Sequence, residues 1–499
     1  MAMKNCTLGV AAMLAVSLNC FAQNAAPSAD PVKAESKPTL QQRLEEMMTV
    51  GPGAWTPAQL ATMAKLRDAA LDDPYAMTEL RHLTDNIGPR IVGSRQAQTA
   101  VEYVAAEMKA LGAEVTLEKT TVPHWVRGEE TGALIVWPGQ AAGTTQKIVL
   151  TALGGSVATP KDGLTAQVVV ANNFDEVRAL PTGALKGKIL LLNEKFDKRL
   201  AAQGNGGQAY SDAVLYRGAG PSVAASLGAV AVLVRSVGGA DFRLPHTGQT
   251  FYSPDVPKVP AAAVTAEDAD LLENLTHQGP VAMQLTLATQ SLPPAPSFNV
   301  IADWKGTEHP EQIVVVSGHL DSWDLGTGAI DDGAGIVVSM QTIHLLQKLG
   351  IHPKRTIRFV AWMGEEEGGM GAQSYAKDHE NEMANHIGAL ESDLGCDHPD
   401  GITFAGKAEL VKYLAPVGHV LGPIGASTVT SSDDAGEDIA FLKGVPGFTP
   451  TQDSRFYFNY HHTAADTFDK VDPKLLNENA AVMAVVAYAL AEASTPAPR

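Results

Sequence analysis

The chain has 499 residues, room for two to four domains at roughly 100–200 residues each, which excludes a single small module. Hydrophobic residues make up 45% and charged residues 18%, a globular balance that excludes wholesale disorder. Lys+Arg 37 against Asp+Glu 55 gives a net charge of −18, and a surface this acidic repels phosphate backbones and anionic headgroups, excluding nucleic-acid and membrane partners.

Residues 1–22 read as an export signal. Lys4 supplies positive charge, Thr7 to Leu18 is mostly apolar, and Cys20-Phe21-Ala22 puts small residues at the −3 and −1 positions of a cleavage site. The alternative, a lipoprotein acylated at Cys20, is the poorer match because Leu18-Asn19 is a weak lipobox. The expected mature chain starts near Gln23 and is exported, periplasmic or secreted. No later apolar run reaches the roughly 20 residues of a membrane span. Cys6 and Cys20 fall in the signal, which leaves Cys396 without a partner; a large core, not a disulfide, must hold the mature protein.

Residues 23–73 form a linker rich in Ala, Pro and Ser, followed by a helical segment interrupted at Gly51-Pro52-Gly53. Residues 74–120 begin the main domain. There Ser94 is a candidate N-cap for a helix with Val101, Val104, Met108 and Leu111 on one face, ending at Gly112. From 121 to 290 short β-type runs (147–152, 167–171, 188–192, 230–235) alternate with Gly- and Pro-rich turns, predicting a separate β-rich unit that overhangs the site or joins subunits. Pro293-Pro294-Ala295-Pro296 marks its far border. Residues 291–499 alternate strands with helices, as βαβ units do, so the fold class is α/β: a mixed, largely parallel sheet flanked by helices.

The chemistry sits at strand ends. Ile313 to Val316 runs into Ser317-Gly318-His319-Leu320-Asp321, Thr356 to Trp362 into Gly364-Glu365-Glu366-Glu367-Gly368, and Ile387 to Leu390 into Glu391-Ser392-Asp393. Asp331-Asp332-Gly333 opens a helix whose apolar positions are Ile336, Val337, Met340 and Ile343, and Tyr460-His461-His462-Thr463 adds imidazoles. In an open parallel sheet the loops after the strands' carboxyl ends gather at one edge, so these groups converge. Imidazole nitrogen and carboxylate oxygen suit zinc. Of two adjacent glutamates, one can bind metal while the other accepts a proton from the bound water. Each piece alone has a plainer reading, as a loop hydrogen bond, a helix cap or a solvated face; their conjunction, each at a strand end, is what points to a metal site.

The strings SGHLDSWDLGTGAIDDGAG (317–335), GEEEGGMGAQSY (364–375), ESDLG (391–395), GVPG (444–447), YHHTAADT (460–467) and LTDNIGPRIVGS (83–94) resemble those of the zinc aminopeptidases and carboxypeptidases with a co-catalytic metal pair, on the carboxypeptidase Q branch. The resemblance covers most of the chain from about Pro74 onward. It implies the zinc exopeptidase fold with a protease-associated insertion at 121–290, and two zinc ions. By matching position His319 and Asp393 would hold one ion, Glu366 and His462 the other, with Asp331 bridging them. Glu365 would be the general base, Asp321 would orient the first histidine, and a cis peptide would join Asp331 to Asp332. His462 is taken over His461 because the family's ligand directly precedes Thr or Ser. Glu365-Glu366 is taken over Glu366-Glu367 because the family's pair is followed by one residue and then Gly, here Glu367-Gly368.

The activity implied is hydrolysis of short peptides by a carboxypeptidase or dipeptidase. An aminopeptidase of the same fold is the alternative, and an inactive binding relative a third; the complete ligand set argues against the last. A homodimer is a further expectation. Arg455 is a guess for the group that holds a substrate carboxylate, with Tyr457 beside it, whereas His344, His352 and Cys396 read as structural.

Overall fold

The computed structural model describes residues 54–499. The expected export signal, the linker and the start of the N-terminal helical segment lie outside the described residues. Helix Pro57–Leu71 begins at a reciprocal cap: Thr56 Oγ accepts the Gln59 N–H, and the Gln59 side chain accepts the Thr56 N–H. Helix Arg95–Ala110 is capped by Ser94 and buries Val101, Val104 and Met108.

The strands in chain order are β1 (Glu114–Val126), β2 (Glu130–Val136), β3 (Gln146–Ile148), β4 (Leu150–Ala152), β5 (Leu164–Ala171), β6 (Ile189–Leu192), β7 (Ala231–Arg235), β8 (Ala261–Val264) and β9 (Ala282–Leu287), then β10 (Gln290–Trp304), β11 (His309–His319), β12 (Arg355–Trp362), β13 (His386–Glu391), β14 (Pro399–Ala405), β15 (Thr428–Ser431) and β16 (Gly447–Gln452). They form two eight-stranded sheets. The first has the order β1-β10-β12-β11-β13-β16-β14-β15. Its centre, β12-β11-β13-β16, is parallel; β1, β10 and β14 join antiparallel, and β15 lies parallel to β14 at the edge. The second, β3-β2-β9-β5-β6-β7-β8-β4, takes every strand from between Glu130 and Leu287, and β5 to β8 are parallel.

β1 and β10 pair antiparallel from Glu114↔Asp303 to Val126↔Gln290, so the chain leaves for the second sheet and returns from it along one two-stranded ribbon. The residues 293–296, read from sequence as a border, lie inside β10, beside a register shift between Val122 and His124. Proline is tolerated there because β10 gains its other neighbour, β12, only from Val300 onward, so no second ladder needs those N–H groups.

The core of the first sheet follows the two-residue period of its strands. Val314 and Val316 face helices Ala334–Leu349 and Pro473–Glu492, together with Ile357 and Phe359. Ile313 and Val315 face the other way, with Val360, Trp362 and Tyr375 of helix Met370–Asp378. From β11 the chain crosses through helix Ala334–Leu349 to β12 on one side, then through Met370–Asp378 to β13 on the other. The end of β11 is therefore the switch point where an open α/β sheet leaves a crevice. Among the described residues no helix is long and apolar enough to cross a membrane.

Candidate metal centre

His319 is the last residue of β11, Glu365 and Glu366 lie in the turn after β12, and Asp393 stands two residues past β13. Asp331 precedes helix Ala334–Leu349, and His462 lies beyond β16. The structure brings them together around the Asp331 carboxylate. Its Oδ1 is 3.2 Å from His319 Nε2, which is also 3.2 Å from Asp393 Oδ1. Its Oδ2 is 3.1 Å from His462 Nε2, which is 2.9 Å from Glu366 Oε2. Glu365 Oε2 is 4.0 Å from His319 Nε2.

This donor set fits a cation. Asp331 Oδ2 and Glu366 Oε1 are buried without a hydrogen-bond donor among the described residues, a cost that protein groups do not offset here. Donor atoms of Asp331, Glu366 and His462 all lie within 4.8 Å of one another, as do those of His319, Asp332 and Asp393. Asp332, however, is already occupied: Oδ2 accepts the His319 N–H and Oδ1 the Gly335 N–H, each at 3.0 Å. Asp331 is the freer carboxylate, and the peptide bond between the two is cis.

Electrostatics agree. Burial pushes Glu366 well above the usual carboxylate range, reinforced by Asp331; it does the same to Glu365, reinforced by Asp393 and Glu366. Burial also raises Asp331, but His461, His319 and His462 outweigh it and hold that group well below its usual range. So many carboxylates in one buried space repel one another until cations enter.

Neighbouring side chains fix the loops. The Asp321 carboxylate accepts the N–H groups of Gly364, Glu365 and Glu366 at 2.6, 3.3 and 3.2 Å. His319 Nδ1 donates to the Asp321 backbone carbonyl at 3.1 Å, while the carboxylate stands 4.0 Å away. Asp321 thus touches the first histidine through its main chain and holds the glutamate turn with its side chain. Fully buried Arg90, from the 83–94 string, donates to the carbonyls of Leu320, Thr327 and Gly328. Asp466 Oδ1 accepts the N–H groups of Ala329 and Ile330, just before Asp331.

Sequence reasoning missed a contribution from the second-sheet unit. The Thr247 N–H donates to His462 O at 2.9 Å, and His462 Nδ1 donates to Thr247 O at 3.3 Å. These bonds support His462 at φ 56, a left-handed conformation that costs a non-glycine residue roughly 1–2 kcal/mol. Arg217 donates to the same Thr247 carbonyl. Gly248 allows this, because a Cβ there would lie 2.3 Å from the guanidinium. His246 Nε2 lies 3.0 Å from His461 Nδ1. The only local hint is that His246, one of three histidines in 121–290, directly precedes Thr247-Gly248.

The remaining candidates lie elsewhere. Arg455 is half exposed and paired with Asp453 through both carboxylate oxygens, which engages its charge. Tyr457 is buried. His344 bonds to Asp73, His352 stacks on Trp304, and Cys396 is a buried thiol whose burial raises its pKa.

Residues 299–487 match Peptidase family M28. The chain is 38% identical to Carboxypeptidase Q of Bos taurus over 468 residues, 93% of this chain and 94% of that protein. Identity to Carboxypeptidase Q of Homo sapiens is 37% with the same coverage. A Peptidase M28 precursor from Shewanella amazonensis, solved by crystallography, superposes with a TM-score of 0.82 at 34% identity, covering 89% of this chain and 99% of that one. An aminopeptidase from Aneurinibacillus sp. shares the fold at a TM-score of 0.61 and 20% identity, over 87% and 98%. With likeness of this extent across nearly the whole length, the chain belongs to peptidase family M28, on its carboxypeptidase Q branch.

Proposed function

We propose that the chain is an exported exopeptidase with two zinc ions that releases the C-terminal residue of short peptides, dipeptides among them. The observation that carries the two-ion reading is the Asp331 carboxylate, whose two oxygens face separate histidine–carboxylate pairs, His319–Asp393 and His462–Glu366. Zinc bound there would polarise the scissile carbonyl and acidify a water. Glu365, 4.0 Å from His319 and beside the pairs that would hold the ions, is the residue that would take a proton from the attacking water and pass it to the leaving amine. Asp321 holds the Glu365 and Glu366 main chain in place during the exchange. Metal analysis of the purified protein should give two equivalents of zinc, and chelation should abolish hydrolysis; full activity with no zinc would end this reading.

The carboxypeptidase polarity is supported by the Carboxypeptidase Q relatives, which match over 93% of the chain. An aminopeptidase reading is favoured by Probable leucine aminopeptidase 2 of Aspergillus fumigatus, 27% identical over 57% of the chain. Hydrolysis of a free, an N-blocked and a C-amidated dipeptide separates them: cleavage of the amide but not the N-blocked peptide selects the aminopeptidase. Export rests on the residue pattern at 1–22, and N-terminal sequencing of the secreted or periplasmic protein should start near Gln23. The 121–290 insertion reads as a protease-associated-like unit, supported by a sheet drawn wholly from Glu130 to Leu287.

A further inference from the structure

The two halves of the metal centre meet the second sheet at different points. His319 and Asp331 bound the loop 319–331, and Trp323 in that loop is buried in the core of the second sheet with Trp125, Leu150, Ala152 and Leu287. Gly154 makes the room, since a Cβ there would lie 1.9 Å from the indole. The same indole stands edge-on to His462, with ring centroids 5.9 Å apart. His462 is held through its main chain, where its carbonyl accepts the Thr247 N–H at 2.9 Å.

Arg127 joins these two attachments. It stands in the three-residue link between β1 and β2, its side chain only 10% exposed. Nε donates to Asp324 Oδ2 at 2.9 Å and Nη2 to Asp324 Oδ1, the two-pronged geometry in which a guanidinium holds a carboxylate most firmly. Nη2 also donates to Thr247 Oγ1 at 3.2 Å, and Nη1 to Thr151 Oγ1 at 2.7 Å and to Ala152 O. Thr247 Oγ1 in turn donates to Ala152 O at 3.0 Å. All five N–H groups of the guanidinium are thus used, on the 319–331 loop, on β4 and on the residue that holds His462. Among the described residues no other ion pair links 127–289 to the rest of the chain.

We propose that Arg127 is a positioning residue of the metal centre: by holding Asp324 and Thr247 on one rigid fork, it fixes the spacing between the loop that carries His319 and Asp331 and the turn that carries His462. What the spacing serves rests on the two-zinc reading, but the fork itself is a property of the protein. The two histidine–carboxylate pairs depend on it unequally. His319 ends β11 and Asp393 follows its neighbour β13, so one sheet places both. His462 lies beyond β16 and leans on Thr247. Loss of the fork therefore falls on the His462–Glu366 pair.

Stepwise zinc titration of the full-length, chelator-stripped enzyme tests this. Arg127→Lys keeps the charge but cannot span both partners. It should leave one equivalent bound as in the wild type and weaken the other about 10- to 100-fold, the size usual when a ligand's outer support is lost. Asp324→Asn should do the same, and the double variant no more than either alone, because both changes break one tie. Arg235→Gln, which breaks a paired contact with Asp270 inside the second sheet, should weaken neither equivalent. Equal weakening of both equivalents, additive losses in the double variant, or a matching effect of Arg235→Gln would mean general loss of stability and overturn the proposal. If Arg127→Lys fails to fold, Asp324→Asn decides by itself. Hydrogen exchange at the Thr247 amide gives a readout that needs no zinc: it should be faster in Arg127→Lys and Asp324→Asn and unchanged in Arg235→Gln. A wild type that binds one zinc or none sinks the two-zinc reading, and exchange then decides the spacing role, with unchanged protection at Thr247 overturning it.

Discussion

Glu365 and Glu366 are joined by one peptide bond yet meet different neighbours, and the proposed mechanism gives them different work for that reason. Glu366 Oε2 lies against His462, whereas Glu365 stands 4.0 Å from His319 and has no closer cationic partner among the described residues. Glu365→Gln should keep both zinc equivalents and lower kcat by roughly 10²–10⁴, the usual size of general-base help. Glu366→Gln should lose zinc. Zinc content measured beside kcat for both variants tests the register of the glutamate triplet, and reversed behaviour would overturn it. His386 supplies a pH prediction far from this chemistry. Burial lowers its pKa to about 4, and the neutral ring is doubly used, with Nδ1 donating to Glu382 O and Nε2 accepting from the Tyr375 hydroxyl. Below about pH 6.5 the unfolded chain binds a proton that the folded one refuses, so stability falls as pH drops from 6.5 towards 4 and levels off below that. The loss is about 3 kcal/mol. In urea titrations His386→Gln should flatten that slope by about one proton, and an unchanged slope would refute it. At this scale the sequence showed the strand-end side chains well, since His319, Glu365 and Asp393 each follow an apolar run. It was silent on His246, because nothing local ties a histidine to partners more than 200 residues away.

At the level of elements, the switch point depends on two glycines that let helix Ala334–Leu349 start hard against the strand ends. A Cβ on Gly335 would lie 1.9 Å from Ser392 O and 2.4 Å from both Asp332 oxygens, and one on Gly318 would lie 2.5 Å from Asp332 Oδ2. Gly335→Ala must therefore move backbone in the segment carrying Asp393. It should cost about 3 kcal/mol or more and reduce zinc content. A variant with wild-type Tm and full zinc would show that the loop gives way freely. Of the parallel centre, β11 was readable as an unbroken Ile-Val run, the mark of a strand buried on both faces, and β12 and β13 as shorter apolar runs, whereas β16 (Gly447–Gln452) carries no such run. The proline cluster misled because proline signals both linkers and strands with a free edge, and only the pairing of β10 distinguishes them. Helix Pro473–Glu492 is buried almost throughout from Leu476 to Ala491, so it carries no polar stripe by which periodicity could place it.

For the molecule as a whole, the crowded carboxylates make folding and metal binding one equilibrium. Zinc present at a thousand times its dissociation constant adds about 4 kcal/mol to stability. Thermal melts with and without chelator should show a Tm lower by several degrees without zinc, and coincident melts would mean that the site is not coupled to the fold. The second sheet is more than a passenger, since Thr247 and His246 touch the turn bearing His461 and His462. The ribbon of β1 and β10 has a further consequence, in time instead of space. The chain is made N-terminus first, so β1 must wait as an unpaired strand until Gln290 and its successors emerge, about 10–30 s later at ordinary synthesis rates. His462 follows later still, near the end of the chain. A partly made chain therefore lacks His461 and His462, so the proposed centre, and the peptide-cutting activity proposed for it, would be complete only in a finished molecule.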